Sequence, residues 1–323
     1  MNIAALFLLA NIAFVPLDDR PVTTQLPQLL GRIAGVRVQV PPAQLLGHYL
    51  QPGRPQNIIE WLNQGDRRHA GEYVISSDML AYGGLVASRV PGVTYADARN
   101  RLNEIATLRA SNPQADIGVF GTIMRLAPTG VPAMGEGGKF FAAYPVWKYL
   151  QQYANLHDPP LPSEEGTVAK LRDQIGAPTL QAYLDARARN RDVDRFVIEL
   201  VSRKKIDRAV LGQDDAGPVG LHIADVRTLQ ADVLRLGVSG AVSIEPGADE
   251  LGMTMVARAL ARQIRWTPHI AVQYSPATGA AFNDPLEFAP ISNAIDSLIA
   301  LCGGVHDDAA PDMTLFVRVP RST

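Results

Sequence analysis

Residues 12–23 read IAFVPLDDRPVT. The apolar run predicts a strand over Ile12–Leu17. Asp18-Asp19-Arg20-Pro21 then supplies a helix start, because Asp caps helix N-termini and proline is tolerated in the first turn. One short stretch therefore reads as buried strand, charged turn and helix. The pattern recurs along the chain. Further β-rich runs lie at Val36–Val40, Tyr73–Ser76, Ile117–Met124, Arg208–Leu211, Ala241–Ile244, Ile270–Tyr274 and Thr314–Val319. Helical spacing falls between them: Ala98, Leu102, Ile105 and Leu108 share one face, as do Ile223, Val226, Leu229 and Val233, and later Val256, Leu260 and Ile264, then Ile291, Ile295 and Leu298. Continuous apolar strands alternating with amphipathic helices predict an α/β fold with a parallel sheet covered on both faces. Eight strands fit a (β/α)8 barrel, and a doubly wound Rossmann-like sheet, or two of them, is the alternative. Periodicity does not separate the two.

Residues 12–323 are expected to form a single α/β domain, with a helical insertion or lid over 126–206. The insertion opens on the turn-forming stretch APTGVPAMGEGG (127–138) and continues through Phe140, Phe141, Tyr144, Trp147, Tyr149 and Tyr153, which read as its core. Residues 1–11 begin with MNIAALFLLA, too short to span a bilayer. They fit either a secretory signal remnant or an extension of the first strand. No Lys or Arg precedes Arg20, so a positive signal n-region is missing. Localisation, cytoplasmic or exported, stays open.

The chain has 323 residues, 47% of them hydrophobic, which is enough for a packed core and excludes a disordered chain. Thirty basic against thirty-two acidic side chains leave no basic excess for a phosphate backbone, so a nucleic-acid partner is not expected. One cysteine, Cys302, and six scattered histidines exclude a disulfide framework and argue against zinc. Neither a GxGxxG turn after the first strand nor a Walker-type loop is present. The chemistry falls to carboxylates and arginines.

In parallel α/β folds ligands bind at the carboxyl ends of the strands. After the first strand come Asp18, Asp19 and Arg20. After the third come Asp78, Tyr82, Gly83, Gly84 and Arg89. The fourth delivers Arg125, the fifth Asp214 and Asp215, and the sixth Glu245, Asp249 and Glu250. Like charges at one rim push one carboxyl upward or recruit an arginine or a cation. Asp215, Asp78, Glu245 and Asp214 are the candidate catalytic groups. Asp18, Asp19, Arg20, Tyr82, Gly83, Gly84, Arg89, Arg125, Arg187, Asn190, Asp249 and Glu250 are candidates for binding substrate. Each has a plainer role available: helix capping for the Asp18 and Asp249–Glu250 segments, a turn for Gly83-Gly84, a solvated helix face for Arg187 and Asn190. Convergence of all of them at one rim is what favours a site.

FVPLDDRPVT (14–23), SSDMLAYGGLVASR (76–89), RARNR (187–191), GQDDAGPVG (212–220) and GADELGMTMVARAL (247–260) resemble the successive signatures of a bacterial family, domain of unknown function 4127. The resemblance runs from about Phe14 to the C-terminus and implies no reaction. It does imply a longer protein, since members continue into a GWNTAGN-like motif that this sequence lacks. The chain is therefore expected to be a truncated member.

Three functions follow as expectations. The first is a hydrolase acting on a carbohydrate or other hydroxyl-rich small molecule, with Asp215 as acid/base and Asp78 or Glu245 as its partner. The second is an enzyme holding Mg²⁺, Mn²⁺ or Ca²⁺ between Asp18, Asp19, Asp214 and Asp215. The third is a non-catalytic module that binds a polar solute.

Overall fold

The computed structural model describes residues 10–129, 146–284 and 289–320. In chain order the elements are β1 (Ile12–Val15), α1 (Pro21–Ile33), β2 (Val38–Gln39), α2 (Pro55–Leu62), β3 (Glu72–Ser76), α3 (Ser77–Tyr82), α4 (Leu85–Ser88), α5 (Tyr95–Ser111), β4 (Asp116–Ile123), α6 (Val146–Ala154), α7 (Glu165–Ile175), α8 (Ala177–Ser202), β5 (Arg208–Gln213), α9 (His222–Leu236), β6 (Val242–Pro246), α10 (Leu251–Gln263), β7 (His269–Ser275), α11 (Ile291–Leu301), β8 (Val305–His306) and β9 (Met313–Arg318). Residues 1–9 of the N-terminal run, most of the Gly/Pro stretch, and Phe140, Phe141 and Tyr144 lie outside the described residues.

Alternation in the strands decides the layers. Ala13 and Val15 of β1 point to one face with Tyr73, Ile75, Val119 and Leu211, where α5, α8 and α9 lie against them. Ile12 and Phe14 point to the other, with Val74, Phe120 and Val210, beneath Leu251, Met255 and Val256 of α10. A strand buried on both faces must be apolar at every position, as IAFV is. The rings of Phe14 and Phe120 stack at 6.3 Å and form the centre of the second layer.

All eight predicted strands form, but they do not close into a barrel. Six make one open parallel sheet in the order β2-β1-β3-β4-β5-β6, and β7 and β9 pair in a separate parallel sheet with the short β8. The barrel expectation fails because β2 adds outside β1 while the later strands add on its other side. This leaves β2 and β6 as free edges. The order is that of flavodoxin-type doubly wound sheets, which bind ligands where the winding reverses, between β1 and β3.

Between β4 and β5 the described chain is helical. Leu150, Ala154, Leu171, Ile175, Leu180 and Tyr183 form a small core with Leu126 and Leu221, and Tyr149 and Tyr153 pack against it. The 26-residue α8 belongs to two cores. Its first half closes this cluster, and Val193, Phe196, Val197 and Val201 in its second half cover the main sheet.

One close approach fixes the sheet end that carries the acids. Gly212 in β5 lies directly under the Gly247 carbonyl of the turn after β6, and a Cβ there would collide with that backbone oxygen. Gly212→Ala is therefore expected to cost about 1–3 kcal/mol, the usual range for overpacking. It should lower the urea midpoint. Gly166→Ala in α7, where a Cβ meets nothing, should leave the midpoint unchanged or slightly raised.

Candidate functional site

At the carboxyl end of the six-stranded sheet, loops after all six strands line a cleft of about 580 Å³. Its walls carry Asp18, Asp19, Arg20, Gly83, Gly84, Arg89, Arg125, Asp214, Asp215, Asp249 and Glu250. Most of the predicted residues thus meet in one place.

The loop after β1 is folded around Asp18. Its carboxylate accepts the Arg20 amide at 3.1 Å, the Thr23 hydroxyl at 2.7 Å and Arg20 Nε at 2.8 Å, which fixes the entry to α1. Arg20 then reaches across the cleft mouth and donates both terminal nitrogens to Asp249, at 2.6 and 2.7 Å. A bidentate arginine between two carboxylates ties the turn after β6 to the loop after β1. Asp19 contacts the Nδ1 of His48 at 2.7 Å and its amide donates to the Gly47 carbonyl, which joins in the loop after β2.

Gly83 and Gly84 have φ values of 95° and 126°, a backbone region that disfavours side chains. Their turn lets the Gly83 carbonyl accept the Gly53 amide at 2.8 Å and pack on Gly47, where a Cβ would clash. The glycines bring two loop backbones together at the cleft floor.

The far wall holds two further ion pairs. Arg89, fully buried at the end of α4, pairs with Asp214. Burial pushes the Asp214 carboxyl up and Arg89 opposes the shift. Next to it Asp215 has φ 40° and receives Arg125 at 2.8 Å. A non-glycine residue at positive φ is uncommon, and Asp is among those that tolerate it. Half of the Asp215 side chain stays open to the cleft. Among the described residues no arginine pairs with Glu250. Burial pushes its carboxyl up, against the backbone amides that include Ala248 at 3.3 Å.

Five predicted residues lie elsewhere. Asp78 does not follow β3 in a loop: α3 begins at once, capped by Ser76, and the whole helix is buried. Its carboxylate accepts the Thr122 amide at 2.8 Å and hydroxyl at 3.2 Å, behind the cleft floor. Tyr82 ends the same helix under the Arg189 guanidinium, 4.6 Å from the ring centre. Glu245 falls inside β6, whose residues Val242 and Ile244 pack on the α9 side. Alternation sends Glu245 the other way, and it is absent from the cleft lining. Arg187 and Asn190 are neither solvated nor in the cleft. Arg187 pairs with Asp225 at 2.7 Å and donates to the Met124 and Arg125 carbonyls. Asn190, with Arg189, holds the Ser88 carbonyl, one residue before Arg89. They brace the segments that present Arg89 and Arg125.

Sequence reasoning missed His48, Tyr49, Thr129 and Gln213 in the lining. The signal for the first two was the polar GHY triplet after the short second strand, the one strand of the six-stranded sheet whose following loop had no candidate.

The acids are matched to arginines instead of grouped for a cation. Among the described residues no three His, Cys, Asp or Glu side chains come together at metal-binding spacing. Asp18, Asp214 and Asp215 each spend oxygens on a guanidinium. The set does not fit the divalent site expected from Asp18, Asp19, Asp214 and Asp215.

Fold and site together define an α/β protein with an open six-stranded parallel sheet and a charged cleft at the carboxyl end of its strands. The chain belongs to the family described as "Protein of unknown function (DUF4127)", which matches residues 12–323. No curated protein and no solved structure matches it. Among the described residues no helix is long and apolar enough to cross a membrane.

Burial pushes the Asp78 carboxyl up to about 7, against the pull of Thr122. A carboxyl whose folded value lies above its unfolded one stabilises the fold most at low pH, and that contribution is lost as pH rises towards the folded value. Each such group bends the stability curve by at most about 1.4 kcal/mol per pH unit. Asp78→Asn stays neutral, so its stability relative to the native protein should rise between pH 4 and 7 in urea titrations. A relative fall over that range would mean that Asp78 is ionised and stabilising.

Proposed function

We propose that the protein is a hydrolase acting on a carbohydrate or similarly hydroxyl-rich small molecule in this cleft. The observation that carries the reading is convergence: Asp18, Asp19, Asp214, Asp215, Asp249 and Glu250 meet Arg20, Arg89 and Arg125 in one cleft of about 580 Å³, drawn from separate loops. That volume suits a small ligand. Carboxylates and guanidinium groups are the side chains that hold multiple hydroxyls by directed hydrogen bonds.

Within the cleft two acids have contrasting surroundings. Glu250 is mostly buried, without an arginine, and raised, which suits a proton donor. Asp215 is half open to the cleft and receives Arg125, a position that suits a base or nucleophile. Contrasting surroundings of two carboxyls are one way a site divides the acid and base roles. Glu250 thereby takes the partner role expected of Asp78 or Glu245. In the reaction Glu250 protonates the leaving oxygen as the carbon–oxygen bond breaks. Asp215 takes a proton from the water that attacks the same carbon, and two alcohol-bearing products leave. Arg20 and Asp249 orient the substrate hydroxyls at the mouth.

The test is a panel of nitrophenyl glycosides and oligosaccharides, read by chromophore and reducing-end release. At least one member should be cleaved. Glu250→Gln and Asp215→Asn should each lower kcat by roughly 10²–10⁴-fold, the usual weight of a general acid or base, with thermal unfolding little changed. EDTA should leave the rate unaltered. Full turnover in both variants, or a ligand bound by the cleft and recovered intact, would overturn the reading.

A further inference from the structure

Among the described residues four side-chain-bearing positions have positive φ: Tyr49, Lys204, Asp215 and Arg265. Lys204 and Arg265 lie just past the ends of α8 and α10. The residue after each returns its amide to the last helical turn, Lys205 to Leu200 and Trp266 to Ala261. Left-handed backbone is ordinary in that helix-ending arrangement. Tyr49 and Asp215 end no helix, and both line the cleft. Aspartate tolerates such a backbone because its side chain is short and polar. For a bulky residue such as Tyr49, a φ of 49° is an outlier.

The turn that carries Tyr49 is built on the cleft floor. His48 and Gln51 exchange backbone hydrogen bonds, each 2.9 Å, which leaves Tyr49 and Leu50 as a two-residue loop. Where such a loop needs positive φ, glycine, asparagine or aspartate is the usual occupant. The base of the turn is pinned. Gly47 packs on the Gly83 carbonyl, Gly53 donates its amide to the same carbonyl at 2.8 Å, and His48 meets Asp19. The fold thus holds a strained backbone to present a side chain that packs on little of the protein. Tyr49 is 61% exposed, and among the described residues it is the one phenylalanine, tyrosine or tryptophan in the cleft lining. Strain kept in the wall of a site, with no internal packing to account for it, points towards a ligand. The ring sets a flat apolar face beside a wall of charged groups. A pyranose has the matching surfaces: a rim of hydroxyls for carboxylates and guanidinium groups, and a face of C–H bonds for an aromatic plane. An open-chain polyol has the hydroxyls but lacks the face.

Building on the carbohydrate reading of the cleft, we propose that Tyr49 is the stacking platform for a pyranose ring and restricts the hydroxyl-rich ligands of this site to cyclic sugars. The pinned hairpin holds the platform in place before the sugar arrives, so little freedom is lost on binding.

Titration calorimetry of the full chain with unlabelled oligosaccharides, methyl pyranosides and an open-chain hexitol tests this. Unlabelled ligands keep a nitrophenyl ring from stacking in the sugar's place. The native protein should bind at least one saccharide and no hexitol at concentrations up to about 10 mM. Tyr49→Ala should weaken that saccharide roughly tenfold or more, and Tyr49→Phe, which keeps the ring, should stay within about threefold of native. Tyr49→Gly should lose affinity like Tyr49→Ala yet keep or raise the urea midpoint, because glycine relaxes the positive φ. Glu250→Gln should keep the affinity and lose turnover, which separates stacking from chemistry. If Tyr49→Ala binds the saccharide as tightly as native, the stacking proposal falls and the hydrolase reading stands. If Tyr49→Ala loses affinity while Glu250→Gln still cleaves, the assigned chemistry falls and the stacking stands. A native protein that binds no saccharide would overturn both. A hexitol bound as tightly as the sugar, a Tyr49→Phe variant as weak as Tyr49→Ala, or a Tyr49→Gly variant with a lowered midpoint would each overturn the stacking.

Discussion

Six carboxylates at the end of one sheet repel each other, and three arginines are what holds them there. Arg20 joins Asp18 to Asp249, Arg89 neutralises Asp214 from below, and Arg125 holds Asp215. Each guanidinium ties a loop to one distant in sequence, so the ion pairs act as both charge compensation and cross-links. The Arg89–Asp214 pair is the most consequential. It is buried on both sides, and a buried charge stripped of its partner costs far more than an exposed one.

The support for these arginines extends well beyond the cleft. Arg189 and Asn190 grip the Ser88 carbonyl and so hold the chain at Arg89. Arg187, anchored on Asp225, holds the Met124 and Arg125 carbonyls. The long helix α8 thus connects the main core, the helical cluster between β4 and β5 and the two arginine-bearing segments. Asp194 on the same helix is buried beside Asp78, and burial drives both carboxyls upward.

Much of this was legible in the residues. The strands were, because each is a short run rich in apolar and β-branched residues, and all eight formed. The order of the strands was not, since it depends on which distant segments pair, and no local period records that. β8 is two residues long and leaves no pattern. Asp18, Asp214 and Asp249 could be placed because they follow strand ends by a few residues on short turns. Asp78 and Glu245 were misplaced for different reasons. A helix that starts without a loop buries Asp78, and a strand that runs on to Pro246 turns Glu245 to the other face. The RARNR charge run reads as a solvated surface by composition, and only tertiary packing reveals that it braces backbone carbonyls.

The most direct measurement is a double-mutant cycle on Arg89 and Asp214, with Arg89→Met, Asp214→Asn and the double variant followed by urea unfolding. If this buried pair holds the far wall of the cleft, Arg89→Met alone should cost about 3–5 kcal/mol. The double variant should recover part of that, with a coupling above about 1.5 kcal/mol. A coupling indistinguishable from zero would contradict the account, because the two groups would then not be paired in the folded protein.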